Sequence, residues 1–489
     1  MFIINIKGRV IMSETNDTTF PESDEKTINL GDERMFSGPI TPLLIRLSVP
    51  MLAGMFFQLL YNIVDTWFVS RIDLSDPSYV GGVGLIFPLI FLFIALGNGI
   101  MVGVSSLVAR AIGEGNKKVL NKTAESGLVI SVVLTILCFG VMVLFAAPLV
   151  RAIGATGDYY THGYNYLIFV SPAAIFIFFG NVFIGILQGE GLMKPVMIGM
   201  ILGTVINIIL DPVFIFLLNM DVRGAALATV IGQVASFIYI LGVFLKNQSS
   251  IRIEWKIKNI SKEIIGRIVM IGLPQSMGMV LMAISFFFFN HLVISVDPLA
   301  LTAFSLFGRF EQLVLMPAFA LSAAVVTIVG QNAGRGLYDR AWNAVKKSYE
   351  WGIIVVVVLA GSMMLASRFI YPLFSSIPEV VDYAVRQTYT QELFYVFALV
   401  GIVNRSFFQA VGHPLPALLL TLLRTILLSL PLSYLFVLVF NMGVEGVWWG
   451  LNTGSVLTLL ISVPWVKHSV SRLKAGTYHV QSTSKELSD

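Results

Sequence analysis

Charge is scarce in this sequence. Only 12% of its 489 residues are Asp, Glu, Lys or Arg, against about 25% in an ordinary soluble domain, which excludes a water-soluble globule. Cysteine is nearly absent: Cys138 stands alone within an apolar run, so no intrachain disulfide and no cysteine metal cluster can form. The five histidines are scattered without metal-ligand spacing. No Gly-x-x-x-x-Gly-Lys-Ser/Thr run cradles a nucleotide phosphate, which excludes a pump that burns its own ATP. No nucleophile elbow or zinc-protease helix points to hydrolysis, so the chain is not read as an enzyme. What is present in excess is apolar: 56% of the residues, with a mean hydropathy of +0.84. The net charge of +4 is small, and its basic residues lie between apolar stretches. That suits a membrane surface and not nucleic acid.

Beyond a polar start, apolar segments run near 43–70, 80–103, 123–148, 163–188, 195–218 and 224–246, then near 263–295, 299–330, 345–370, 385–411, 415–440 and 445–467. Each exceeds the roughly 20 residues that cross the hydrocarbon as a helix. Helix is the expected form because lipid offers no partner for free backbone groups. The fold class is therefore all-α, a polytopic membrane protein of twelve transmembrane helices. A polar tail (1–42), a first lobe (43–246), a connecting loop (247–262), a second lobe (263–467) and a second tail (468–489) are the expected divisions. With both ends in the cytoplasm, 23 of the 28 loop and tail Lys/Arg fall inside, as the positive-inside rule requires. An inner cell membrane is the expected location. Alternation of Ile251, Ile253, Trp255 and Ile257 in the connecting loop suits either a surface-lying amphipathic segment or an ordinary charged linker.

The halves repeat each other. Pro50 matches Pro274, Gly113-Glu-Gly115 matches Gly334-Arg-Gly336, Gln188-Gly-Glu-Gly191 with Pro195 matches Gln409-Ala-Val-Gly412 with Pro416, and Val222-Arg-Gly224 matches Val444-Glu-Gly446. The offsets are 224, 221, 221 and 222. Six spans per copy make the two bundles parallel repeats about an axis normal to the membrane, an arrangement typical of secondary transporters.

Carboxylates inside the spans call for a reason, since each costs roughly 3 kcal/mol at a helix centre on insertion scales. Asp65 lies in span 1 in Tyr61-Asn62-Ile-Val-Asp65-Thr. Thr204, Asn207 and Asp211 fall on one face of span 5, and Pro212 predicts a kink beside them. Thr229 and Gln233 lie one turn apart in span 6. These hard oxygen groups suit Na⁺ or protons; for the neutral ones, helix-to-helix hydrogen bonding is an equal alternative. In the second half, Arg309, Glu311, Arg405 and Arg424 count as one acid against three bases. Leu430-Pro431 keeps the proline of Asp211-Pro212 without its carboxylate. Glu311 is expected to pair with an arginine, the alternative being recognition of a cationic substrate.

Two homologous sixes, the Pro50 opening, Tyr-Asn-Ile-Val-Asp65-Thr, the Gln-Gly-Glu-Gly-x-x-x-Pro195 loop and Asn207-x-x-x-Asp211-Pro212 together resemble the multidrug and toxic compound extrusion (MATE) family over residues 38–470. The resemblance is to its prokaryotic branch with archaeal and DinF-like members. It implies two lobes around a central cavity, antiport of amphipathic small molecules against H⁺ or Na⁺, and no cofactor besides that coupling ion. It implies an ion site at Asp65, Asn207, Asp211 and Thr229. A substrate cavity is expected near Tyr61, Asn62, Gln233, Met282, Phe286 and Glu311, in a protein that works in lipid as a monomer. The NorM-like branch places carboxylates in spans 7 and 10; here span 7 offers Met279, Met282 and Phe286 instead. A lipid-linked precursor flippase and a passive channel remain the rival readings.

Overall fold

The computed structural model of the chain describes residues 32–251, 260–481 and 483. The rest of the N-terminal tail and most of the connecting loop, including Ile253, Trp255 and Ile257, lie outside the described residues. Twelve helices among the described residues are long and apolar enough to cross a membrane. They are α1 Ile40–Val69, α2 Ser78–Gly113, α3 Lys117–Leu144, α4 Ala173–Glu190, α5 Met193–Leu217 and α6 Asp221–Leu245, then α7 Lys262–Val296, α8 Pro298–Gly334, α9 Tyr338–Leu373, α10 Pro378–Ala410, α11 Pro414–Val439 and α12 Glu445–Lys474. The first six form one lobe and the last six the other. Both chain ends emerge on the same side, called here the terminal face.

Several spans are interrupted where the sequence weakens the helical ladder. The fourth begins later than its hydropathy suggests. A separate helix Gly157–Val170 precedes it, and the chain breaks at Ser171-Pro172 before α4 starts. At the equivalent place in α10, Glu392–Phe394 tightens to a 3-10 turn between two α-helical stretches. Here Asn452 Nδ2 donates to the carbonyl of Thr390 at 2.8 Å, so a side chain supplies a partner beside the break. After Pro212, which lacks an N–H, the ladder of α5 widens to i→i+5 bonding over Val213–Leu217. α11 widens in the same way over Leu423–Ser429 and Leu435–Val439.

The lobes meet at the terminal face. Thr327 Oγ1 donates to the carbonyl of Gln188 at 2.7 Å and Gln331 Nε2 to that of Gly189 at 2.8 Å. A Cβ on Gly113 would come within 2.1 Å of the Gln331 carbonyl oxygen, so glycine is what allows α2 and α8 to close there. The largest buried apolar cluster draws on both lobes. Toward the opposite, far face the clusters separate. One holds Val69, Tyr166, Val170, Ile215 and Val222 of the first lobe; the other holds Phe289, Val293, Phe304, Val437 and Trp448 of the second. The molecule is therefore sealed at the terminal face and parted at the far one.

Both chain ends reinforce the seal. Asn332 Nδ2 donates to the carbonyl of Met35 at 3.1 Å, and Arg340 bonds the carbonyls of Arg34, Met35 and Gly38. At the other end, the fully buried Arg110 donates from Nη1 to the carbonyl of Gln481 at 2.7 Å, while Glu114 accepts from the backbone and hydroxyl of Thr483.

Candidate functional site

α1, α5 and α6 bring the anticipated oxygen groups of the first lobe together. Asp65, Asn207 and Asp211 are buried, Asp211 completely, and Thr204 on the same face of α5 is buried with them. Tyr61 Oη and Thr229 Oγ1 share a hydrogen bond of 3.0 Å. Asn207 Nδ2 reaches both Asp211 Oδ1 and Thr229 Oγ1 at 3.5 Å. Asp65 and Asp211 are near enough to feel each other's charge. The widened stretch after Pro212 begins directly beyond Asp211.

Among the described residues, three buried acceptors at this place have no donor: Asp65 Oδ1, Asn207 Oδ1 and Asp211 Oδ2. An orphaned buried polar atom costs about 1–3 kcal/mol, and a patch of acceptors without donors is what a cation relieves. The donor set is all oxygen, two carboxylates, an amide and hydroxyls, which fits a proton or a hard alkali cation and not a transition metal. Among the described residues no group of three His, Cys, Asp or Glu gathers as a softer metal site would need.

The residues expected around a substrate cavity are more dispersed. Tyr61 joins the oxygen cluster of the first lobe through Thr229. Gln233 and Met282 are half-buried and Asn62 and Phe286 exposed, and no side chain of these four takes part in the site's hydrogen bonds among the described residues. Glu311 lies beside the hydroxyl of Tyr395 and senses the charge of Arg424. It forms no close ion pair among the described residues, so the expected arginine partner stands at a distance and a tyrosine takes the near position.

Two residues escaped the reading of the sequence. Tyr166, buried, lies beside Thr229 and borders the oxygen cluster from the helix before α4. Glu392 is completely buried at the break in α10, near Glu311, with no donor on either carboxyl oxygen. The count of one acid against three bases in the second half is thereby corrected: α10 starts at Pro378, placing Glu392 about 20 Å along the helix at 1.5 Å per residue, well inside the span. The sequence already places Glu392 inside the apolar segment 385–411, so the second half holds two acids within its spans.

Known proteins resemble this chain along most of its length. A family model described as MatE matches residues 50–213 and 274–435. The multidrug export protein MepA of Staphylococcus aureus is 24% identical over 455 residues, covering 91% of this chain and 98% of MepA. A solved structure described as the outward-facing conformation of a multidrug resistance MATE family transporter superposes with a TM-score of 0.86 at 29% identity, covering 90% of this chain and 98% of that one. A transporter from Pyrococcus furiosus, described as having a binding pocket of reverse polarity that suggests a different function, also gives 0.86 at 29% identity, covering 92% and 100%.

Proposed function

Because the chain belongs to the MATE family of multidrug efflux transporters, we propose that it is a secondary active antiporter that exports amphipathic organic cations in exchange for H⁺ or Na⁺. It works as a monomer in the inner cell membrane with the terminal face in the cytoplasm. The observation that carries the reading is the trio of donorless buried oxygens on Asp65, Asn207 and Asp211. They supply differential affinity: a cation bound there stabilises whichever lobe shape brings the three oxygens closest, and only such a difference can shift a two-state equilibrium. Pro212 and the widened turns after it give α5 a place to bend.

Closure at the terminal face with separate apolar clusters at the far face supports alternating access over a passive channel. A cation entering from outside and a substrate leaving by the same opening would then exchange at one cavity. Aromatic and Met side chains on α7, among them Met282 and Phe286, suit flat hydrophobic cations.

The test is efflux of a cationic dye from inverted vesicles under imposed H⁺ and Na⁺ gradients applied separately. Dye movement driven by one of the two gradients is expected. Equal dye flux with and without either gradient would sink the antiport reading.

A further inference from the structure

The second lobe holds cationic groups that cation export leaves unused. Arg405 on α10 and Arg424 on α11 lie close enough for their charges to interact, and Glu311 on α8 is within electrostatic reach of Arg424. Charged groups on three helices of one lobe that sense one another are placed more cheaply between those helices than in the surrounding lipid. All three are only half-buried, so each keeps part of its surface free of protein neighbours.

Two acids and two arginines lie there, but they do not pair one to one. Arg424 has Glu311 nearby, whereas the charged neighbour of Arg405 is Arg424, of like sign. Arg405 Nε is buried without an acceptor, and neither arginine makes an ion pair among the described residues. Glu392 cannot serve, since no donor reaches either of its oxygens. Arg309, two residues before Glu311, is exposed. An unpaired guanidinium at membrane depth is costly, and by default it marks a ligand or ion path. Arg424 also sits in the widened i→i+5 stretch Leu423–Ser429, a local geometry frequent at functional sites.

We infer that Arg405 and Arg424 form an anion subsite in the second lobe, which takes the phosphate or carboxylate head of an amphiphile carried by this transporter. Guanidinium groups match such heads by paired N–H···O bonds. Arg405 and Arg424 offer guanidinium groups on the second lobe opposite Asp65 and Asp211 of the first, so zwitterions and anionic amphiphiles join simple cations as substrates. The inference rests on the export reading for what occupies the cavity, but the subsite can be tested without transport.

The experiment measures binding of α-naphthyl phosphate and neutral α-naphthol to the purified full-length protein in detergent, with no gradient. The phosphate should bind at least about tenfold more tightly, as one charge-assisted contact allows. Arg405→Gln and Arg424→Gln should each remove about tenfold of that preference and leave naphthol binding unchanged, while Arg405→Lys retains part of it. A variant that fails to fold is replaced by the wild-type comparison, in which naphthyl phosphate should raise the unfolding temperature more than naphthol does. Competition with short-chain phosphatidate separates a lipid head group from a soluble amphiphile: displacement at matched concentration assigns the former, its absence the latter, and either outcome supports the site. Equal wild-type affinity for the two naphthyl compounds, or a preference untouched in both Gln variants, would overturn it. Failure of gradient-driven dye efflux would bear on the export reading alone, because binding here needs no gradient.

Discussion

Arg110 and Asn332 lie at matching ends of α2 and α8, one residue out of register with the 221-residue repeat there, and each donates to a carbonyl of a chain end rooted in the opposite lobe. Arg110 of the first lobe holds Gln481 of the C-terminal tail; Asn332 of the second holds Met35 of the N-terminal segment. The repeat thus extends past its helices to a reciprocal pair of clasps. Gly191 and Gly412, 221 residues apart, lie beneath them with φ of +83° and +85°. Such a clasp ties the closed terminal face to both ends of the chain.

Removing residues 475–489 takes away the acceptor of Arg110 and the donor of Glu114. At about 0.5–1.5 kcal/mol for each of these two hydrogen bonds, the population open at the far face should fall by roughly fivefold to a hundredfold. Spin labels at Ser75 and Ser376, exposed on the far side of opposite lobes, would report shorter distances in the truncated protein. An unchanged distance distribution would count against a clasp.

Acid should loosen the C-terminal clasp. His413 Nε2 donates to the carbonyl of His479 at 2.8 Å, and its ring stacks on Tyr478. Burial holds its imidazole below the ordinary histidine value; the His479 carbonyl pulls the other way, and the nearby Arg110 adds to the depression. A depressed histidine binds its proton more readily when the tail is released, so its contribution is present above the ordinary value near pH 6.5 and is lost as the pH falls. Proteolysis of the tail should accelerate below about pH 6, and His413→Asn should remove that acceleration.

The two clasp glycines should differ in their tolerance of alanine. Both need a left-handed backbone, which costs any other residue about 1–2 kcal/mol. At Gly191 an added Cβ meets the mobile methyl of Met35 at 2.3 Å, but at Gly412 it meets Arg110 Nη1 at 2.1 Å, a group fixed by its bond to Gln481. Gly412→Ala should therefore lower the unfolding temperature in detergent more than Gly191→Ala.

Much of this was legible in the sequence because lipid is a simple solvent. Twelve apolar runs, a repeat at constant offset and carboxylates such as Asp65 and Asp211 inside those runs each violate or satisfy one rule strongly. Glu392 was legible as a carboxylate inside the apolar segment 385–411 but not as a buried one, since Gln387, Thr388 and Gln391 make that part of the span polar. The clasps had no local signature at all: Arg110 and Gln481 are 371 residues apart, and nothing in either neighbourhood announces the other. The pairing of Glu311 was anticipated from charge count alone, which cannot tell a contacting arginine from one in the next helix.

Glu311 and Glu392 should respond differently to neutralisation. Glu311→Gln strips Arg424 of its nearest acid and leaves a guanidinium uncompensated, so the yield of folded protein should drop. Glu392→Gln removes a carboxyl that has no donor to lose and should leave yield near wild type. Size-exclusion profiles of the two variants, expressed side by side, decide the matter.

The central claim is that the donorless oxygens of α1 and α5 bind the coupling ion, and reconstituted Asp65→Asn protein tests it most directly. Asparagine keeps the volume and most of the hydrogen bonding of Asp65 but removes its charge, so folding should survive while ion-driven dye transport into proteoliposomes is abolished. Asp211→Asn should behave alike. Asn207→Ala and Thr229→Ala, which each remove one neutral ligand, should slow transport without ending it. Wild-type transport rates by Asp65→Asn protein under the same gradient would place the ion site elsewhere.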